Sequence, residues 1–479
     1  MRATQKNQSS SEFFLSQGTF WLLFVPAKSN ICETKVMKIK NSLCAIAMWA
    51  GIVLLVQTAE GQIIHEYMDM QIHPTMHIPH PMFDPGLTYF DEKNHPALTW
   101  KHKFKNVNYA NYWEDNKGCR IFVVGFMTAE RIRNRTKARG VILEQMKYVE
   151  EFVQQHPDKF AIARSPGEVR NLVTQTEKTI IIYSIEGGKA LIGNEEDARF
   201  WADKGVAFIT LMHMLDSELG GAAIRPGIIF SLINLKGAFR SKKNRGLTDL
   251  GKNAIQWLAN AGIMTDISHM SDATRADALD LMIEKGIPPV STHDMFKPIQ
   301  NMQRGISEAD VIRIYRGHGF MSLPLSGISL KPYHPNPKYQ ALLDGQPEYC
   351  DGSVDSYRFT YEALQAFLAE NVGRIFKDST KTMDNLTENE KIDISIGFQS
   401  DFNGWLNHSR PRYGKEGCFE AAPDTVYEPI ELQGLAHPGL LESQWKWMAK
   451  EGVDLDPVLR ASEKFLRVWE FVIELKGEL

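Results

Sequence analysis

Short runs of apolar, β-branched residues recur along the chain, and helical periodicity follows each of them. The runs are Tyr67–His73, Arg120–Phe126, Thr179–Ile185, Ala207–His213, Ile263–His269, Pro288–His293, Gly319–Leu323 and Ile392–Phe398. Most are continuously apolar rather than alternating, as expected of strands buried on both faces of a parallel sheet. Helix starts stand between them. Ser165-Pro166-Gly167-Glu168, Ser271-Asp272-Ala273-Thr274 and Ser307-Glu308-Ala309-Asp310 each open with a capping hydroxyl, and Pro166 takes the first helical position. The second of these closes at Lys285-Gly286 and the third near Gly317, while Thr248–Asn260 ends at Gly262. Asp355–Phe376 reads as one long amphipathic helix, and Leu440–Lys450 and Pro457–Lys476 as closing helices.

Eight strands alternating with helices predict an α/β fold, a (β/α)8 (TIM) barrel with long insertions near the barrel mouth. A doubly wound open sheet is the alternative, but no Gly-x-Gly-x-x-Gly follows a strand and there is no phosphate loop. No repeat of solenoid or propeller period is present. Two segments break the rhythm, Pro324–Val354 and Asn403–His437, both after late strands and rich in Pro, Gly, Tyr and His. Insertions of that length belong to an active-site rim.

The N-terminus changes the picture. Lys38-Ile39-Lys40-Asn41 precedes an apolar run, Leu43–Val56, and small residues alternate just after it. That is the layout of a secretory signal peptide, and the run is shorter than the roughly 20 residues that span a bilayer. The expected organisation is an upstream extension over 1–36, a signal peptide over 37–61 and one barrel over 62–479. It implies an exported protein, secreted or periplasmic; the alternative is membrane anchoring through 43–56. Residues 1–61 carry six Lys/Arg against three Asp/Glu, so the formal charge of −4 for the chain becomes −7 for the remainder. That balance and the lack of a basic tract argue against nucleic acid as a partner. Cys119, Cys350 and Cys418 remain after the leader, enough for one disulfide and one free thiol.

All 14 histidines lie beyond residue 61. At or just past the strand ends stand His73, Glu186, His213, His269, His293 and Asp401. In a barrel these ends converge on one mouth, where catalytic residues come from several strands. Taken singly, a strand-end histidine is most often a satisfied structural group. Four of them with two carboxylates point instead to a metal site, since imidazole and carboxylate suit zinc and related divalent ions.

The order of motifs then becomes specific. Ser184-Ile185-Glu186-Gly187-Gly188, Thr210-Leu211-Met212-His213, Asp266-Ile267-Ser268-His269-Met270-Ser271, Ser291-Thr292-His293 and Ser400-Asp401-Phe402-Asn403-Gly404 together resemble the membrane (renal) dipeptidase family of metal-dependent amidohydrolase-like barrels. The resemblance is strongest from about Thr179 to Leu323 and returns near Ile392–Gly404. It implies Glu186 as a metal-bridging carboxylate, His269 and His293 as ligands of one zinc, and His213 as a substrate-binding group that stabilises the oxyanion. It further implies Asp401 as the proton shuttle and Arg304, in Met302-Gln303-Arg304-Gly305, as the group that holds the substrate's free carboxylate.

The first strand departs from the family's His-x-Asp pair. Asp69-Met70-Gln71-Ile72-His73-Pro74 places Gln71 at the His position and His73 at the Asp position. His73 is a competent ligand; Gln71 offers a neutral oxygen. The metal set is then Gln71, His73, Glu186, His269 and His293, holding one or two Zn2+ ions, with His77 and His80 read as loop residues. His65, His318 and His437 are read as structural or solvent-exposed. Asn403 replaces a second Asp of the family's last motif.

Three functions remain open on these residues. The first is an exported zinc dipeptidase cleaving dipeptides or related small amides, the second a metal-barrel hydrolase of another amide, ester or lactone. The third is a non-catalytic exported binding protein with a degenerate metal site. The expected partner is a small-molecule or dipeptide substrate, with membrane contact only through an uncleaved leader; the sequence leaves a homodimer open.

Overall fold

The structure is a computed structural model of the chain that describes residues 63–74, 118–128, 132–224, 234, 245–346, 348–402, 404, 408–420 and 428–477. The expected extension 1–36, the leader 37–61, the anchor run 43–56, His77, His80 and Asn403 lie outside these residues. All described residues fall in one unit, Gln62–Leu479. None of their helices is long and apolar enough to cross a membrane.

Among the described residues eleven strands form: β1 Met68–Ile72, β2 Ile121–Met127, β3 Phe160–Ala163, β4 Thr179–Glu186, β5 Val206–Thr210, β6 Met264–Asp266, β7 Val290–Ser291, β8 Met295–Phe296, β9 Gly305–Ile306, β10 Phe320–Pro324 and β11 Ile396–Gln399. The parallel order β2-β1-β11-β10-β7-β6-β5-β4 closes where β4 pairs back onto β2 from Ile121↔Ile180 to Met127↔Glu186. The eight strands expected from the apolar runs are thus the eight staves of a closed (β/α)8 barrel. β3 is an addition, which pairs with the first half of β4 on the edge that β5 occupies in the second half. Its four residues, Phe-Ala-Ile-Ala, are half-buried in the middle, too short to register as a period.

Four of the eight barrel strands, β1, β5, β6 and β7, end earlier than the apolar runs do. β5 stops at Thr210, β6 at Asp266 and β7 at Ser291, so His213, His269 and His293 stand on the first loop residues at the mouth. The Ile392–Phe398 run also divides: Glu388–Asp393 is a helix capped by Thr387, and the strand begins at Ile396. The long helix expected over Asp355–Phe376 breaks at Asn371 into Val354–Glu370 and Val372–Ile375. The other starts hold, since Ser165, Thr248, Ser271 and Ser307 each accept a hydrogen bond from the amide three residues on. Gly262 ends its helix in the left-handed region at φ 84°.

Met68, Met70, Ile121, Val123, Ile180, Ile182, Phe208, Met264, Val290 and Phe320 pack into one cluster with Phe465 and Trp469 of the last long helix, Asp456–Glu474. The amides of Ile64 and Glu66 donate to Glu463 Oε2 (3.0 Å) and Ser462 Oγ (3.2 Å), which ties that helix to the approach to β1. It covers the end where the strands begin, leaving the opposite end to the site.

The insertions after β10 and β11 are not plain loops. Helices Gly327–Leu330 and Pro337–Asp344 fill the first, and Pro429–Gln433 lies in the second. A disulfide, Cys350–Cys418, joins the two, while Cys119 is a buried thiol outside it that donates to the carbonyls of Tyr67 and Ile121. Beside it Arg412 bridges Asp355 (3.0 Å) and Glu431 (3.1 Å). The bridge closes a loop of 68 residues, and cross-links of that span add about 2–4 kcal/mol through the unfolded chain. Cys350→Ser is therefore expected to lower the unfolding free energy by a matching amount and the urea midpoint with it, read by circular dichroism. An unchanged midpoint would assign the tethering to Arg412 and its carboxylates alone.

Candidate metal centre and substrate site

Glu186, the last residue of β4, is buried with four imidazoles around its carboxylate. Oε1 lies 3.1 Å from His269 Nε2 and 3.2 Å from His293 Nε2. Oε2 lies 3.3 Å from His73 Nε2 and 3.7 Å from His213 Nε2. Asp401 Oδ1 is 3.2 Å from His73 Nε2. The six strand-end groups singled out in the sequence therefore meet at one mouth.

Two of them sit on strained backbone. His269 (φ 65°) and Asp401 (φ 58°) occupy the left-handed region, where a non-glycine residue costs about 1–3 kcal/mol and persists only when its surroundings over-determine it. Those surroundings are visible. His269 O accepts from Ala223 N (2.7 Å); Asp401 N donates to Gln71 O (3.0 Å), and Asp401 O accepts from Gly404 N (2.8 Å).

Below the imidazoles lie two buried carboxylates that the motifs contained but sequence reasoning gave no role. Asp69 accepts from the Gln71 amide (3.2 Å) and from both the amide (3.0 Å) and the hydroxyl of Ser400, so it ties β1 to the turn that carries Asp401. Asp266 does the same for the ends of β5, β6 and β7 through Thr210, Ser268 and Thr292. Their signal in the sequence is a carboxylate within a buried apolar run, which must be paired or hydrogen-bonded to stay there. Gly125 was missed as well. A Cβ on it would stand 2.8 Å from His73 Cε1, so only glycine leaves that ring its place.

The electrostatics divide the site into halves. Burial alone would push the Glu186 carboxyl up, but the imidazoles around it, His213 first, with His269 and His73, hold it well below the usual carboxylate range. Burial pushes His269 well below the ordinary histidine value, and Arg304 adds to this. His73 goes the other way: burial lowers it, yet Asp401 and Glu186 outweigh burial and push it up to about 10.

The donor set at Glu186 fits a divalent ion. Its Oε1 separations of 3.1 and 3.2 Å from His269 and His293 resemble the edge of a tetrahedron around zinc, about 3.3 Å for bonds of about 2.0–2.1 Å. His293 Nε2 is buried and makes no hydrogen bond, despite its 3.2 Å approach to the carboxylate. Glu186, His213 and His269 also offer ligand atoms within 4.8 Å of one another, which brings His213 into ligand reach. The first-strand half fits less well. Gln71 Nε2 stands 3.0 Å from His73 Nε2, His73 Nδ1 is 2.8 Å from Gly125 O, and Gln71 Oε1 is buried with no hydrogen bond.

Arg304 is no surface residue. It is buried beside the site, donating from Nη2 to His293 O (2.9 Å) and pairing through Nε with Asp294 Oδ1 (3.4 Å). The Arg275 guanidinium grips the carbonyls on either side of it, Gln303 (3.1 Å) and Gly305 (3.0 Å). His65 and His318 are away from the centre and exposed, and His437 is half-buried.

Comparison with known proteins bears on the family and on the barrel. The family model for membrane dipeptidase (peptidase family M19) matches residues 105–348, just over half of the chain. An uncharacterized dipeptidase of Schizosaccharomyces pombe is 21% identical over 202 residues, covering 42% of this chain and 45% of that protein. The dipeptidase AtaJ of Aspergillus terreus is 25% identical over 195 residues, covering 37% and 44%. The chain thus spans less than half the length of these two curated relatives. Among solved structures, the M19 metallopeptidase dipeptidase AC superposes with a TM-score of 0.57 at 15% identity, covering 85% of this chain and 98% of that one. A Rhodobacter sphaeroides metallopeptidase, liganded with a phosphinate mimic of the dipeptide L-Ala-D-Ala, gives 0.56 at 13% identity, covering 85% and 99%. The probable dipeptidase PvdM of Pseudomonas aeruginosa gives 0.53 at 16% identity, covering 86% and 96%. At these identities the likeness of the solved structures speaks for the barrel alone, and it is the matched stretch from residue 105 to 348 by which this chain belongs to the membrane dipeptidase family, peptidase family M19.

Proposed function

We propose that this protein is an exported, zinc-dependent dipeptidase that hydrolyses dipeptides or related small amides. The observation that carries the reading is the buried Glu186 carboxylate shared among imidazoles, with Asp401 on one flank and Arg304 against the His293 carbonyl on another. When bound there, a divalent cation supplies Lewis acidity and an activated water. The protein's own groups do the rest. Arg304 holds the free carboxylate of the substrate, with the edge of its guanidinium not committed to Asp294 and His293, and so sets the scissile bond over Glu186. Asp401 takes the proton of the attacking water as the carbon–oxygen bond forms, then gives it to the leaving amine as the carbon–nitrogen bond breaks. His213, beside His269 with ring centroids 4.8 Å apart, donates to the oxygen that becomes negative between those two steps.

Gln71 favours a second reading of the metal content, with one ion at the Glu186–His269–His293 end and none at the first strand. A neutral amide is a poor substitute for the imidazole that the family places there. The Cys350–Cys418 bridge supports export, because structural disulfides persist in oxidising compartments. The apolar leader supports it independently.

Asp401→Asn is expected to lower dipeptide turnover by about two to four orders of magnitude; wild-type rates in that variant would remove Asp401 from the mechanism. Arg304→Met is expected to raise KM for dipeptides with a free carboxylate and to leave their C-terminal amides unaffected. An equal loss on both would shift the reading to another class of amide. Elemental analysis of the purified chain is expected to give one or two zinc ions, two for the full site and one for the reduced site. A metal-free chain that still binds dipeptides would turn the assignment to a binding protein.

A further inference from the structure

Asp266 at the end of β6 is fully buried, and its Oδ2 lies 3.9 Å from His293 Nδ1, too far for a direct hydrogen bond. Its carboxylate accepts five hydrogen bonds. Oδ1 takes the Ser268 amide (3.0 Å), the Ser268 hydroxyl (2.7 Å) and the Thr292 amide (3.1 Å). Oδ2 takes the hydroxyls of Thr210 and Thr292, both at 2.6 Å. Thr292 Oγ1 in turn lies 2.7 Å from His293 Nδ1.

The direction of that last bond follows from proton counting. A hydroxyl has one proton, and a carboxylate oxygen can only accept it. Thr292 therefore spends its proton on Asp266 and meets His293 with a lone pair. Nδ1 must then carry the ring proton, which leaves Nε2 as a bare lone pair. Nε2 is the atom that is buried without a hydrogen bond, 3.2 Å from Glu186 Oε1. His73 has no such connection, since its Nδ1 faces only the neutral carbonyl of Gly125.

We propose that Thr292 is a positioning residue that relays the charge of Asp266 to His293, fixing its Nδ1–H form and aiming Nε2 as the lead donor to a divalent cation at Glu186. Carboxylate partners of ligand histidines raise ligand basicity and lock the ring, and their loss costs about 10–100-fold in metal affinity. Here a threonine hydroxyl stands between the two. The same carboxylate also holds the ends of β5 and β6, so the relay adds His293 to a frame already built for His213 and His269. The proposal rests on His293 being a metal ligand.

The test compares Thr292→Val, which keeps the β-branched shape and removes the hydroxyl, with Thr292→Ser, which restores it, in the full chain. Zinc affinity is measured by chelator competition and ligand geometry by the visible spectrum of the cobalt-loaded protein. Thr292→Val is expected to bind zinc about 10–100-fold more weakly and to shift the cobalt bands, with Thr292→Ser close to the parent in both. Parent-like affinity and spectrum in Thr292→Val, beside weakened binding in His293→Ala, would overturn the relay alone. Unchanged binding in His293→Ala would overturn the ligand reading and the relay with it. Should Thr292→Val fail to fold, proton–nitrogen spectra of the unsubstituted chain with labelled histidine give the answer. A protonated Nδ1 on His293 is expected, and a protonated Nε2 with a bare Nδ1 would refute the relay.

Discussion

The structure turns on one buried carboxylate. Glu186 takes imidazoles from the loops that follow β1, β5, β6 and β7 within 3.1–3.7 Å of its two oxygens. In a flat sheet β7 would stand three strand spacings from β4, about 14 Å away. The contact at 3.2 Å is available only because the sheet closes on itself through β2 and β4. Closure and site are thus one requirement. An isolated ionised carboxylate at this depth would be very costly, and the ring of imidazoles, with the cation they suit, makes it tolerable.

That ring is held from beneath rather than by the ligands themselves. Asp69 and Asp266 each collect hydrogen bonds from the ends of neighbouring strands, Asp69 for the His73–Asp401 side and Asp266 for the His213–His269–His293 side. The left-handed backbone at His269 and Asp401 lies directly above this frame, where several hydrogen bonds hold each turn. A metal site needs its donors placed to within fractions of an ångström, and strand ends bonded to a common carboxylate give that precision better than free loops do.

The two halves are unequally built. The His293 side has a charged support through Thr292 and a bare nitrogen facing Glu186. The first-strand side has a neutral amide, Gln71, against His73, and a ring held by a backbone carbonyl. Around both, the insertions after β10 and β11 are fastened together by Cys350–Cys418 and by Arg412 between Asp355 and Glu431. The rim of the mouth is therefore cross-linked to itself, independently of the barrel wall.

The barrel rhythm, the caps at Ser165, Thr248, Ser271 and Ser307, and the strand-end set from His73 to Asp401 were all legible in the sequence. Each is written locally: burial on both faces gives a continuous apolar run, a cap needs one hydroxyl, and a ligand at a strand end follows its strand wherever it goes. The leader expected over 37–61 lies outside the described residues. Tertiary structure alone decided the rest. It paired Cys350 with Cys418 among three cysteines, turned the insertions into helices, and added β3 on a half-edge of β4. It also buried Arg304 against His293 and gave Asp69, Asp266, Thr292 and Gly125 their places under the site. These depend on which distant groups meet, because a buried polar atom is stable only where a partner from another part of the chain comes to satisfy it.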